Sequence, residues 1–159
     1  MTCDSVSTIL HRHPFVSGFQ PHHVDKLSAM GNIASFKPDE IIFREGEACN
    51  KFYLVVSGPV SLELALPRNV IQIQRIGAGD GLGWSAALVG RGKHFQARAL
   101  DEVQALCFEG PEVLAACQED PEFGFVFMLR LLNVVASRLR ATRVQLVDMY
   151  SPVAKQAGA

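Results

Sequence analysis

The chain has one tryptophan and two tyrosines against ten phenylalanines, so its aromatic content is almost purely apolar. Its four cysteines, Cys3, Cys49, Cys107 and Cys117, form no CxxC pair. Zinc-type spacing is therefore missing, nothing points to a secreted disulfide scaffold, and the thiols are expected to be buried or incidental. No apolar run reaches the ~18–20 residues of a membrane helix. His11, Arg12 and His13 stand where a signal peptide needs its apolar segment. A cytoplasmic, soluble protein is the expectation. Fifteen basic against sixteen acidic residues leave a net charge of −1, which gives no argument for nucleic acid or an anionic membrane as partner. Neither GxSxG nor HExxH occurs. His11, His13, His22 and His23 lie in a region that reads as helical, where residues two apart do not face each other. The β-region offers His94 alone, so no metal centre, required cofactor or enzymatic activity is expected.

What is present is enough apolar material for a sizeable core, at 48% hydrophobic and 19% charged over 159 residues. In QPHHVDKLSAMG, Pro21 suits a first helical turn, Val24, Leu27 and Met30 follow helical spacing, and Gly31 is expected to end the helix. From there the period changes to short apolar runs broken by KPDE, REGE, SG and LPRN, all turn chemistry. Val60, Leu62 and Leu64 alternate with Ser61 and Glu63, and Ile71 and Ile73 with Gln72 and Gln74, which predicts one buried and one wet face on each strand. With HFQARAL and VQALCF this makes seven or eight strands, a sandwich or roll-shaped barrel. After Phe108 the pattern turns helical. Pro111 opens one helix, and Asp120 and Pro121 open a long one. Along the latter, Met128, Leu132, Val135, Leu139, Thr142, Leu146 and Met149 step at heptad spacing, a seam suited to a homodimer. Arg138, Arg140 and Arg143 flank it as a solvated face, and no helix-turn-helix follows, so direct nucleic-acid binding is not expected.

Gly77, Gly79, Gly81 and Gly83 alternate strictly, which fits neither GxGxxG nor GxxxxGK[ST]. A loop that turned GWSAAL into one helical turn would still aim free N–H groups at an anion, and a plain glycine-rich hairpin explains the run as well.

The order of an N-terminal helix, KPDEIIFREGEACNKFYLVVSGPVSLEL, GAGDGLGWSAAL, KHFQARAL and a long helix resembles the cyclic nucleotide-binding domain family over about residues 12–150. The resemblance implies a mainly β fold with flanking helices: an eight-stranded antiparallel, jelly-roll-like β-roll with N-terminal helices and a long C-terminal helix. It implies one domain over 1–150 (helical 1–31, roll 32–109, helices 110–150), with 151–159 as a tail. It also implies a phosphate-binding cassette in which Gly83 and the amides of Ser85 and Ala86 hold a phosphate. Lys93 stands in the place of the family's phosphate-pairing arginine, and His94 where a Ser or Thr sits. Leu62 and Ile73 line the base and ribose, and Thr142, with Arg143 beside it, faces the base from the lid helix. Trp84 occupies the place of the glutamate that binds the ribose 2′-hydroxyl. That exchange removes a charged acceptor worth ~1.5–3 kcal/mol, or about ten- to hundredfold in affinity. Lysine for arginine keeps the charge but loses the planar fork. The expected ligand is small and anionic, cAMP or cGMP among the candidates. Trp84 either stacks on it or fills its place, and in the second case the domain binds no nucleotide and serves as a dimerisation or protein-interaction module.

Overall fold

Two turns built by one device open the β-region. In KPDE the Lys37 amide donates to Glu40 Oε2 at 2.7 Å, and in REGE the Arg44 amide donates to Glu47 Oε2 at 2.8 Å. Asp39 and Gly46 take the left-handed conformation each turn needs, at φ +67° and +77°. The computed structural model describes residues 5–47, 50–84 and 95–157. Eight strands run through them: β1 (Gly31–Phe36), β2 (Ile41–Phe43), β3 (Lys51–Ser57), β4 (Val60–Ala65), β5 (Val70–Ile76), β6 (Gly81–Leu82), β7 (Gln96–Ala99) and β8 (Val103–Glu109). They form two four-stranded sheets of order β1-β8-β3-β6 and β2-β7-β4-β5, with every pairing antiparallel. Before them come α1 (Val6–His11), a 3-10 turn at Pro14–Val16 and α2 (Pro21–Ser28); after them come α3 (Gly110–Glu119) and α4 (Pro121–Ala157). This is the eight-stranded antiparallel roll with N-terminal helices and a long C-terminal helix.

The apolar residues sort into two clusters. One lies between the sheets, with Phe43, Tyr53, Val55, Val60, Leu62, Leu82 and Ala97 among its members. The other lies between the first sheet and the helices, and takes six phenylalanines: Phe15, Phe19, Phe52, Phe108, Phe123 and Phe127. Phe127 of α4 meets Phe15 at 5.5 Å and Phe52 at 6.2 Å, both edge to face, the geometry that adds to simple area burial. The Phe-rich composition is thus spent where α4 docks. Asp120 caps α4, its Oδ1 accepting from the Phe123 amide at 3.3 Å. Phe123, Phe127 and Leu131 are buried, while further along the helix turns progressively to solvent.

Three local expectations change. Gly31 does not terminate α2; it opens β1 opposite Phe108, where an added Cβ would lie 2.8 Å from that ring. The outer face of β4 is not wet: Ser61 and Glu63 are 1% and 7% exposed. They are covered by a polar network in which Gln96 and Arg98 donate to Glu63 Oε1 and Ser61 donates to Oε2. The alternation along β5 breaks at a bulge, which sets Gln74 opposite Leu62 but Gln72 opposite Glu63. Gln74 thus shares the face of Leu62, while Ile71, paired with Leu64, is 46% exposed.

Candidate functional site at the mouth of the roll

β5 and β6 are edge strands of different sheets and are joined by the turn Gly77–Asp80, so the gap between them is the open mouth of the roll. The turn is tightly held. Asp80 Oδ2 accepts from the Gly77 amide at 3.0 Å, and the Val55 amide donates to the Asp80 carbonyl at 2.8 Å. The Val55 carbonyl accepts from the Gly79 amide at 3.0 Å and from His13 Nε2 at 2.8 Å. His13 Nδ1 accepts from the Phe15 amide, so the ring is neutral with its proton on Nε2. Burial lowers its pKa, against the opposing effects of the Val55 carbonyl and the Asp80 charge.

Leu62 and Ile73 belong to one apolar cluster between the sheets. Leu62 is fully buried in the cluster between the sheets, and Ile73, at the β5 bulge, packs against that cluster. Leu82 leads from β6 directly to Gly83, which takes φ +82°, a conformation that favours glycine. Trp84 goes the other way: it is partly buried against the helix-side cluster, on the opposite face of the first sheet from Leu62 and Ile73. Ser85, Ala86, Lys93 and His94 lie outside the described residues.

α4 crosses the mouth, and Arg138 fastens it. Its Nη1 donates to Gln74 Oε1 of β5 at 3.2 Å and its Nη2 to the Gly81 carbonyl of β6, so one guanidinium bridges the edges of both sheets. One level on, Gln145 Nε2 donates to the Gln72 carbonyl at 3.3 Å. Among the described residues Arg138 has no carboxylate within salt-bridge distance, and its buried Nε has no acceptor. Burial lowers the guanidinium's pKa, while the charge of Asp80 opposes that. A half-buried cation short of acceptors is arranged for an anion or a strong dipole. The sequence pattern predicts Arg138 on the solvated face, whereas the structure half-buries it. The signal that finds it is its spacing of four from Thr142, which puts both on one helix face. Thr142 itself is exposed and spends its hydroxyl proton on the Arg138 carbonyl at 3.0 Å. Arg143 is exposed and lines a separate cleft with Arg140, Val144 and Val147. The structure therefore joins Arg138 to Gln74, next to Ile73, and to Gly81, two residues before Gly83, and leaves Arg143 apart.

Among the described residues no three His, Cys, Asp or Glu side chains converge to hold a metal ion, and no helix is long and apolar enough to cross a membrane.

The cyclic nucleotide-binding domain profile matches residues 33–120, more than half of the chain. A curated relative, a CRP-like cAMP-activated global transcriptional regulator of Mycobacterium tuberculosis, is 26% identical over 144 residues. Those residues make up 89% of this chain and 62% of that protein's length. Among solved structures, a cyclic nucleotide-binding domain from Methylobacillus flagellatus aligns with a TM-score of 0.78 at 17% identity, covering 91% of this chain and 82% of that one. The regulatory domain of Toxoplasma gondii PKA, solved with cAMP, aligns with a TM-score of 0.66 at 20% identity, covering 83% and 48% respectively. At these identities the structural likeness is one of fold.

Proposed function

The chain belongs to the cyclic nucleotide-binding domain family, and from that premise we propose that it is a non-enzymatic sensor. It admits a small anionic ligand of the cyclic-nucleotide type at the mouth of the roll and reports occupancy through α4. The observation that carries this reading is Arg138, a half-buried, acceptor-poor cation that ties the lid helix to both sheet edges beside Gly83. In this reading Leu62 and Ile73 line the base and ribose, and Gly83 with the Ser85 and Ala86 amides holds the phosphate. Lys93 pairs with its charge beside His94, and Thr142 meets the base from the lid. Trp84, packed on the helix side of the first sheet, does not fill the ligand's place in this reading. Ligand shifts α4 only as far as it binds one lid position better than another. Two substitutions test the cassette assignment. Trp84→Glu with Lys93→Arg restores the ribose acceptor and the phosphate fork, so calorimetry should show cAMP affinity rising by about tenfold or more. A folded double variant with no response to nucleotide would overturn the assignment.

The exposed face of α4 supports a second element, a homodimer. Leu132, Leu139, Leu146 and Met149 are exposed large apolar residues at heptad steps, with Leu139 at 63% and Leu146 at 52% exposure. Met128 packs against the helix-side cluster, and Phe125 and Leu129 stand out in its place, so the seam shifts round the helix at its start. Val135 is half-buried. This face is independent of the mouth, and it is what a domain working as a dimerisation or protein-interaction module without nucleotide would use.

A further inference from the structure

A cleft of about 180 Å³ lies outside the roll, between α4, the Gly77–Asp80 turn and the 3-10 turn at Pro14. It is smaller than the ~300–1,000 Å³ of pockets that hold drug-sized ligands. Its α4 wall is polar and rich in donors: Arg130, Asn133, Ser137 and Arg138 all line it. Among the described residues, the one carboxylate in the lining is Asp80, whose Oδ2 already accepts from the Gly77 amide. The two guanidiniums give the lining an excess of positive charge, and both are held in place by backbone carbonyls. Arg130 Nη2 donates to the Ser17 carbonyl and Arg138 Nη2 to the Gly81 carbonyl. Arg138 Nε is buried without an acceptor. Two pre-positioned arginine forks, an amide and a hydroxyl around a space of this size match the donor pattern that grips an oxyanion.

We propose that this cleft is a second ligand site, outside the roll, that takes a small oxyanion of the phosphate class through Arg130 and Arg138. It does not depend on what enters the roll, because its lining shares neither Leu62, Ile73 nor Gly83 with the mouth. Arg138 and the Gly79–Gly81 segment border both, so an anion in the cleft acts on the same guanidinium that fastens α4 to β5 and β6. Occupancy therefore stabilises the docked position of the helix, and a ligand that binds the folded state alone raises the melting temperature.

The test uses the full chain and inorganic phosphate at constant ionic strength, read by calorimetry and by thermal melting. Wild-type protein should bind phosphate saturably and melt at a higher temperature in its presence. Arg130→Gln should weaken binding about tenfold or more, as expected for losing a charge-assisted bond. Ser137→Leu, at an exposed position, fills the cleft without removing a charge and should also abolish binding. Arg140→Gln, exposed on α4 outside this cleft, should bind as wild type does. Absence of saturable binding, unchanged binding in the Ser137→Leu protein, or an equal loss in Arg140→Gln would each overturn the proposal. A parallel cAMP titration separates the two sites: failure of nucleotide with phosphate binding intact counts against the roll reading alone.

Discussion

Replacing Arg138 by methionine asks whether one side chain fastens the lid helix. The substitution keeps the length of the apolar stem and removes the bonds to Gln74 Oε1 and the Gly81 carbonyl. Each hydrogen bond to a charged group contributes ~1.5–3 kcal/mol. Part of that is offset, because the wild-type protein buries the guanidinium Nε with no acceptor. The net loss should be ~1–3 kcal/mol, and at ~2–4 °C per kcal/mol for a domain of this size the melting temperature should fall by about 2–12 °C. The location of the loss is the sharper readout. Phe123, Phe127 and Leu131 dock the first half of α4 independently of Arg138, so amides there should keep their hydrogen-exchange protection. Amides from about 135 to 150 should exchange roughly tenfold faster or more. Equal protection in both proteins across 135–150 would refute the clasp, and uniform loss along the helix would mean that Arg138 supports the fold as a whole.

Three further outcomes follow from the same geometry. Gly58 sits at φ +92°, and an added Cβ would lie 2.1 Å from the Glu102 carbonyl oxygen, so Gly58→Ala should cost ~2–6 kcal/mol in denaturant unfolding. The depressed pKa of His13 means that the unfolded chain takes up a proton more readily. Its contribution is therefore complete above the unfolded value of about 6.5 and is lost as pH falls below it, so melting temperature should decline on acidification from pH 7 and the slope should shrink in His13→Gln. The Glu63 carboxylate is lowered too: burial would raise it, but the bonds from Gln96, Ser61 and Arg98 and the Arg98 charge outweigh that, so its loss belongs to the separate window below about pH 4.5. The proposed α4 homodimer predicts that in sedimentation the wild-type protein is dimeric and a Leu139→Glu/Leu146→Glu variant monomeric; a monomeric wild type or an unchanged oligomeric state contradicts the α4 seam.

The elements that sequence reveals best are those whose signals are local. Pro21 and Pro111 mark helix starts by a first-turn proline and Asp120 by its capping carboxylate, and KPDE and REGE close turns through their own glutamates. The misreadings have non-local causes. Ser61 and Glu63 read as solvent-facing because their polar partners, Gln96 and Arg98, come from a strand more than thirty residues away. The β5 bulge leaves no composition signal, so Gln74 and Gln72 could not be told apart by period alone. Trp84 follows Gly83 by one residue yet packs on the opposite side of the sheet, and the left-handed backbone at Gly83 permits that turn. Arg138 and Arg143 have the same chemistry and differ only in helix phase, which the docking of Phe123 and Phe127 fixes far upstream.

In the proposed function the mouth of the roll takes an anionic ligand of the cyclic-nucleotide type. Trp84 is the chain's single tryptophan and directly follows Gly83, so its emission responds, without a label, to a shift of the backbone at Gly83. Titrating cAMP and cGMP into wild-type protein should give a saturable change in that emission, reduced in Arg138→Met. Silence of Trp84 together with an absence of binding heat at millimolar nucleotide would contradict the account.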